Sequence, residues 1–336
     1  MAASLDGGEG WAFTPGHIWR GAAVLQDVTP SPAPSLTPLA YSSYATDQVS
    51  VLYGKVTSNR STLGGRDLLG AVMETTTDGG RTWFRTDVAP VRQLAGYGFW
   101  PLSEPTAALL WMSFADARHG YLVAAAQDAR AIPHTAIVEA TDDGGAHWTV
   151  RGSAAAGPAT FLDSLRGFIR PVSGAPLMRT VDGGRHWVPA AGLPADASLP
   201  VRTPSGLLTS AVTVDSRQAL YYRSSDQGFS WRDVTRRAAP AGFQVAQAGV
   251  GTRGQLWAEY VITAGDSRCE LELNVAGHWQ LTPLPLELYA LQLTLGPGLL
   301  WAAIPQTFVS DDHHRLAAST DQGRTWTLNV GKPTQP

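Results

Sequence analysis

A ten-residue phrase, TTTDGGRTWF at 75–84, places a carboxylate, hydroxyls and two glycines beside a tryptophan. In a single copy these residue types could form an active-site loop, a metal loop or only a turn. The phrase recurs as ATDDGGAHWT at 140–149, TVDGGRHWVP at 180–189, SSDQGFSWRD at 224–233 and STDQGRTWTL at 319–328. We call the shared pattern, Ser/Thr-x-Asp-x-Gly-x-x-Trp, the box motif. One box offers too few oxygens for the roughly six to eight ligands that calcium prefers, so repetition favours a turn.

Each residue type of the box motif is explained by folding alone. Glycine supplies the positive φ of a tight hairpin, and aspartate accepts hydrogen bonds from the amides of its own turn. The tryptophan begins the next strand, where we expect full burial of its ring. We predict a structural role, with no catalytic residue, for Asp78, Gly80, Trp83, Asp143, Gly145, Trp148, Asp182, Gly184, Trp187, Asp226, Gly228, Trp231, Asp321, Gly323 and Trp326.

Two further copies of the box motif are degenerate. In ELNVAGHWQL, Asn274 stands in the aspartate place and Trp279 in the tryptophan place, while Ala276 replaces the glycine. In AVLQDVTP, Leu25 stands in the tryptophan place of a copy that has lost its turn. The chain therefore contains up to seven repeated units.

A second phrase precedes the boxes, in which an acid is followed by glycine and an aromatic residue. It occurs as LDGGEGWAF, ADARHGYLV and LDSLRGFIR. Two turn signals bounded by short alternating runs predict four antiparallel strands in each unit of about 48 residues. The period predicts an all-β fold, a seven-bladed β-propeller, with six or eight blades as alternatives. We expect one domain over 1–336, with approximate blades at 1–30, 42–90, 108–153, 158–192, 205–237, 243–284 and 287–331.

On the paired phrases SFADARHGYLV and EATDDGGAHW, the chain resembles the Asp-box (BNR-repeat) β-propellers. Its pattern is closest to the photosystem II assembly/stability factor-like and sortilin-type repeat proteins of bacteria. The resemblance implies box turns on the blade periphery, away from the axial cleft where enzymes of this fold act. It also implies an arginine patch as a partner surface. Arg20, Arg179 and Arg223, which precede three of the boxes, are the candidates if their strands lie side by side.

The alternative to a binding protein is a secreted carbohydrate-active enzyme, a sialidase- or xyloglucanase-like glycoside hydrolase. Such an enzyme needs two acids that flank a cleft. Asp116, Asp163 and Asp215 are candidates, but all three occupy the same repeated turn, which favours a structural role.

Histidines and acids elsewhere do not form a convincing metal site. In SDDHHR at 310–315 adjacent side chains would point to opposite faces of a strand, so we predict a solvated loop. His147, His186 and His278 each precede a box tryptophan, which indicates turn chemistry. We expect no metal and no cofactor.

Composition excludes several partner classes. The net charge is −3 and 16% of the residues are charged, without a basic run, which argues against nucleic acid and anionic membranes. Cys269 is the single cysteine, so an internal disulfide is excluded. The uncharged stretch 288–310 is broken by Gly-Pro-Gly and predicts two strands instead of a transmembrane segment.

Long insertions are the sequence's main candidates for binding, since loops on a rigid scaffold often carry function. One insertion, QLAGYGFWPLSEPTAALLW, holds Tyr97, Phe99 and Trp100, which suit a protein or sugar surface or pack back on the propeller. Another is KVTSNRSTLGGRDLLG, in the second unit. We also expect the ends to meet in one sheet, with residues 4–5 beside residues 326–330.

These features predict a non-enzymatic binding or assembly scaffold whose partner is an unknown protein or glycan. The start MAASLDGGEGW lacks the charged and apolar regions of a signal peptide. We expect a monomer outside the cytoplasm, secreted or envelope-anchored, whose leader is absent from this sequence; a cytoplasmic location is the alternative.

Overall fold

The computed structural model describes residues 2–6, 9–14, 17–21, 25–30, 37–45, 47–58, 66–88, 108–126, 135–214, 216–251, 253–262, 269–285, 292–296, 299–304 and 315–328. Within these ranges the chain forms strands and turns and contains no helix. It follows that none of the described segments is a helix able to cross a membrane. The all-β class predicted from the two turn signals is confirmed.

In the part of the chain that the structure describes, the strands form seven four-stranded antiparallel sheets, each built from consecutive strands. The chain divides into two compact units, Met1–Thr29 with Ala191–Pro336, and Pro30–Ala190. The sheets of the first unit are β1 (Ala2–Asp6), β2 (Glu9–Thr14), β3 (His17–Gly21), β4 (Leu25–Asp27); β17 (Val201–Arg202), β18 (Leu208–Val214), β19 (Gln218–Ser224), β20 (Arg232–Ala238); β21 (Gln244–Val250), β22 (Leu256–Val261), β23 (Cys269–Val275), β24 (His278–Leu284); and β25 (Gln292–Gly296), β26 (Leu299–Ile304), β27 (Arg315–Ser319), β28 (Thr327–Leu328). Those of the second unit are β5 (Thr37–Ala45), β6 (Gln48–Ser58), β7 (Arg66–Thr76), β8 (Phe84–Val88); β9 (Ala108–Phe114), β10 (Gly120–Ala126), β11 (Thr135–Thr141), β12 (Thr149–Ala155); and β13 (Ala159–Phe161), β14 (Gly167–Ile169), β15 (Met178–Thr180), β16 (Val188–Pro189).

In the second unit the three sheets pack face to face through apolar side chains. Leu52 and Met73 of the first sheet meet Leu122 of the next, and Val138 of that sheet meets Ile169 of the third. The alternation of side chains along a strand gives the middle sheet, β9–β12, two apolar faces.

A polar link accompanies each contact between the sheets of the second unit. The hydroxyl of Ser42 accepts the backbone N–H of Phe114 at 2.8 Å. The hydroxyl of Ser113 accepts the backbone N–H of Phe161 at 2.9 Å in the same way. These bonds fix the first strands of neighbouring sheets relative to one another.

In the first unit, strand β21 lies against β18, and β1 lies against β25 and β26. Tyr221 and Tyr260 are buried between the sheets β17–β20 and β21–β24. Leu271 and Leu300 are buried between β21–β24 and β25–β28. The four sheets therefore follow one another in the spatial order β17–β20, β21–β24, β25–β28 and β1–β4.

The glycine of the second phrase is required by a close approach. A Cβ added at Gly120 would lie 2.6 Å from ring carbons of Phe114, its partner on β9. Gly167 stands under the ring of Phe161 with the same 2.6 Å separation. The flat ring occupies the volume of the missing side chain, which explains why glycine recurs in this phrase.

Two expectations about chain segments were wrong. The insertion in the second unit is partly strand, because Val56, Thr57 and Ser58 extend β6 and pair with β7. The ends of the chain do not share a sheet: β1 pairs with β2, and β28 pairs with β27. The neighbouring repeat phrases supply all four strands of each sheet, so no strand has to be borrowed from the other end.

Candidate binding site

The box motif forms a closed hydrogen-bond network around its aspartate. In the copy at 75–84, Asp78 accepts the hydroxyl of Thr76 at 2.9 Å and the backbone N–H of Thr82 at 2.9 Å. The hydroxyl of Thr82 donates to the second carboxylate oxygen at 2.6 Å. Thr76 in turn accepts the backbone N–H of Gly80 at 2.9 Å. Both oxygens of the carboxylate therefore accept hydrogen bonds from the hairpin to which Asp78 belongs.

The other four copies repeat this network. In each, the aspartate accepts the hydroxyl two residues before it and the backbone N–H four residues after it. His147 and His186 take the place of Thr82, and their Nδ1 atoms lie 2.6 Å from Asp143 and Asp182. These two histidines are thus turn residues.

These hydrogen bonds lower the pKa values of the box aspartates. The hydroxyl and the backbone N–H of Thr82 hold the pKa of Asp78 at about 2. The same groups of Thr325 hold the pKa of Asp321 at about 2. A carboxyl group of this kind stays ionised at neutral pH and is unsuited to act as a general acid.

The box tryptophans are less buried than we expected. Trp148, Trp187 and Trp326 are half-buried, whereas Trp231 is 8% exposed. The indole N–H of Trp148 donates to the carbonyl of Gly145 at 3.0 Å, which turns one ring edge toward the hairpin. The ring therefore covers the edge of the sheet contact without entering it fully.

The two candidate hydrolase acids that the structure describes also belong to turns. Asp116 accepts the backbone N–H groups of Arg118 and His119, both at 2.8 Å. Asp163 accepts the backbone N–H groups of Leu165 and Arg166 at 2.9 and 2.8 Å. The third candidate, Asp215, lies outside the described residues.

The three candidate arginines are half-buried strand residues at equivalent places in their sheets. Arg20 pairs with Trp11 across β2 and β3, and its guanidinium lies 5.7 Å from the centroid of that ring. Arg223, in the same unit, lies on β19. Two sheets, β21–β24 and β25–β28, separate them, so these strands do not lie side by side as a shared patch requires. Arg179 lies on β15 in the other unit.

The aromatic insertion and the acid–histidine stretch fall in parts of the chain that the structure does not describe. They include Tyr97, Phe99, Trp100 and residues 310–314. Among the described residues, no three acids, histidines or cysteines come close enough together to hold a metal ion.

Buried glutamates are a feature that the sequence reasoning missed. Glu74, Glu139 and Glu272 occupy one position, two residues before the box Ser/Thr or its replacement. Glu259 on β22 is 1% exposed and accepts a hydrogen bond from the amide of Gln247. Burial raises the pKa of Glu139 to about 7 and that of Glu259 to about 7. The recurring letters E-T-T, E-A-T and E-L-N were the available signal.

The degenerate copy that contains Asn274 and Trp279, here called the sixth copy, has a different hairpin from the five full copies of the box motif. Asn274 pairs with Trp279 and Val275 with His278, which leaves a two-residue turn at Ala276 and Gly277. From the box hydroxyl to the tryptophan there are seven positions in the copy at 180–189 (180 to 187) and five here (274 to 279). Asn274 therefore occupies the Ser/Thr place, not the aspartate place that we assigned to it.

A pocket of about 250 Å³ lies where this shortened hairpin meets the sheet β25–β28. In that sheet Leu295 and Leu300 are paired at the positions that hold Phe161 and Gly167 in β13–β16. A short hairpin and a branched side chain in place of a ring leave the space open. The lining residues are Gln255, Leu273, Asn274, Val275, Ala276, Leu295, Leu299, Leu300 and Gln322.

No sequence profile of a known protein family matches the chain, and no curated protein matches it. Solved structures do match. A GH74 xyloglucanase from Xanthomonas campestris aligns with a TM-score of 0.52 and 18% identity, over 96% of this chain and 54% of that protein. A GH74 enzyme from Niastella koreensis gives 0.53 and 14%, over 87% and 45%. Prolyl oligopeptidase B from Galerina marginata gives 0.53 and 11%, over 98% and 50%.

These similarities and the four-stranded antiparallel sheets define the class of protein: the chain has a β-propeller fold. The chain spans about half the length of the three solved structures. At such low identity the likeness shows the fold alone.

Proposed function

We propose that the protein is a non-enzymatic binding or assembly scaffold that works outside the cytoplasm. In this proposal the chain is one propeller domain, each of the seven sheets serves as a blade, and the box turns lie on the periphery. A protein or a glycan binds through a propeller face and the inserted loops. The protein acts as a monomer and needs no cofactor.

The hydrogen bonds of two candidate acids support a binding role. The carboxylates of Asp116 and Asp163 accept hydrogen bonds from backbone N–H groups of their own turns. A glycoside hydrolase requires one acid that can give a proton and a second that can attack or activate water. Carboxylates already engaged in this way are poor candidates for both tasks.

A combined binding and turnover assay tests this proposal. Purified protein is incubated with xyloglucan oligosaccharides and sialylated glycans, and both saturable binding and the release of reducing sugar are measured. We expect binding of a glycan or protein partner without turnover. Turnover that is abolished by a single change, Asp116→Asn, Asp163→Asn or Asp215→Asn, would overturn the proposal in favour of a glycoside hydrolase.

The aromatic insertion is the proposed partner surface. Replacing Phe99 and Trp100 by alanine should weaken binding of that partner at an unchanged melting temperature. A lowered melting temperature with unchanged binding would instead assign both rings to the core. Arg20, Arg179 and Arg223 are tested one at a time for a contribution to partner binding. Each is replaced by methionine, which removes the charge.

A further inference from the structure

We propose that the pocket between the sixth hairpin and the sheet β25–β28 binds one large apolar side chain, the size of phenylalanine or leucine, from an uncharged peptide segment. The inference rests on the proposed function, because it gives the binding scaffold a defined site and ligand class. It is carried by the size, the polarity and the position of the pocket.

The size suits one side chain and not a larger ligand. An apolar cavity of about 150 Å³ holds a benzene ring, and sites for drug-sized molecules begin at about 300 Å³. The pocket, at about 250 Å³, lies between these limits. It accommodates a ring or a branched chain together with the backbone atoms that carry it.

The walls are aliphatic and the rim is made of carboxamides. Leu295, Leu299 and Leu300 are buried side chains of the sheet β25–β28 that line the pocket. Asn274 and Gln255 use their side-chain oxygens within the protein, accepting the N–H groups of Gly277 at 3.2 Å and Arg253 at 3.1 Å. Between described residues, no hydrogen bond uses the NH₂ group of either side chain. Both NH₂ groups can therefore donate to the carbonyl groups of a bound peptide.

The same lining argues against a charged ligand and against a sugar. No charged side chain is among the lining residues, so a buried ion would have no partner. A sugar ring carries hydroxyls around its whole edge, and those facing the leucines would lose water without gaining a hydrogen bond. A phenylalanine or leucine side chain has no polar atom that would be left without a hydrogen bond.

The position of the pocket within the repeat is the third observation that supports the proposal. At the junction of the second and third sheets of the other unit, the ring of Phe161 stacks on the ring of Tyr121 with 3.4 Å between centroids and fills the equivalent place. Leu295 in place of the ring and the shortened hairpin at Ala276 and Gly277 leave that place open at the junction of β21–β24 with β25–β28. The pocket is thus a departure from the repeat, as expected of a site that serves binding and not folding.

The test uses the full chain and five short peptides, acetyl-Gly-Xaa-Gly-amide with Xaa as phenylalanine, leucine, alanine, lysine or aspartate. Binding is followed by NMR shifts of the amide signals of the protein. We expect the phenylalanine and leucine peptides to bind at least ten times more tightly than the alanine peptide. Lysine and aspartate peptides should bind no better than alanine. Equal affinity for all five peptides would overturn the proposal.

Two matched pairs of variants locate the site. Val275→Trp fills the pocket and should lower the affinity at least tenfold, whereas Leu281→Trp lies on the opposite face of the same hairpin and should not. Gln322→Gly removes a rim carboxamide and should weaken binding about threefold. Gln227→Gly makes the same change at the matching box position, away from the pocket, and should leave the affinity unchanged. Unchanged affinity in Val275→Trp would overturn the proposal.

The outcomes also separate this inference from the proposed function. Hydrolysis of a glycan by a residue elsewhere would overturn the scaffold role, whatever the peptides do. Failure of all peptides, together with saturable capture of another partner, would remove the pocket alone.

Discussion

The guanidinium of Arg237 and the carboxylate of Glu272 form an ion pair that joins two neighbouring sheets. The Nε atom lies 2.9 Å from the carboxylate, which also accepts the hydroxyl of Tyr260 at 2.7 Å. The Glu272 side chain is 8% exposed, and the arginine lies over the ring of Trp279 with 4.8 Å to its centroid. The carboxylate is buried, and among the described residues Arg237 is the cation that pairs with it.

Removal of that cation should therefore be costly. We expect Arg237→Met to lower the free energy of unfolding by about 3 kcal/mol, the lower end for an uncompensated buried charge, because Arg237 is itself a third exposed. Urea unfolding measures the change. Arg236→Met is the control, since its pair with Asp233 is largely solvated, and it should cost under about 1 kcal/mol. Equal losses in the two variants would contradict the assignment.

The box aspartates predict acid sensitivity. Asp78 and Asp321 have pKa values of about 2 in the fold, below the ordinary value of 3.8. A depressed pKa contributes stability that is present above the ordinary value and is lost as pH falls through the folded one. The melting temperature should therefore drop steeply between about pH 4 and pH 2.

A single box should account for part of that drop. Asp321→Asn removes one carboxylate and should lessen the slope of melting temperature against pH below 4. Asp87→Asn, at an exposed strand position outside the motifs, serves as the control and should keep the original slope. A slope that is the same in both variants would show that the boxes do not set the acid limit.

Buried glutamates predict the opposite trend at higher pH. The folded pKa values of Glu139 and Glu259, about 7, lie above the ordinary 4.5, so the native state holds protons that the unfolded chain has released. Stability should fall as pH rises from about 4.5 to about 7 and then level off. One pKa unit corresponds to about 1.4 kcal/mol, so each group accounts for roughly 3 kcal/mol.

Glu259→Gln isolates one of these groups, because glutamine resembles the protonated carboxyl in shape. The variant should exceed the parent in free energy of unfolding at pH 8 and differ little at pH 4.5. Glu270→Gln, on the neighbouring strand and only half-buried, is the comparison. No gain at pH 8 in Glu259→Gln would show that this carboxyl is ionised without penalty.

What the sequence predicted correctly depended on local chemistry. The hairpin that contains Asp78 needs only residues within the same ten, and its repetition indicated the four-stranded sheets. The burial of Glu259 could not be predicted, because it depends on the pairing of two strands that brings Gln247, 12 residues earlier in the chain, to its carboxylate. The pocket is a property of the same kind: Gln255, Asn274 and Leu300 come together only through packing of one sheet on another.

The sequence pattern assigned Asn274 to the wrong place in the box motif. Alignment on Trp279 put it in the aspartate place, since the motif was counted back from the ring. The strand register instead gives it the Ser/Thr place, because a tight turn needs fewer residues than a box. A motif that shortens keeps its letters but changes their roles.

The tight turn itself carries the last prediction. Ala276 has a φ of 51° and Gly277 a φ of 87°, the two positive values of a type I′ hairpin turn. A residue with a Cβ is disfavoured there by roughly 1–2 kcal/mol, and asparagine tolerates the conformation best after glycine. Ala276→Asn should therefore raise the free energy of unfolding by about 1 kcal/mol. Ala276→Gly should gain less, because glycine loses more conformational freedom on folding. Ala276→Val should lose stability, since a β-branched residue fits positive φ worst. Urea midpoints of the three variants give the order directly, and a valine variant as stable as the asparagine variant would contradict the strained turn.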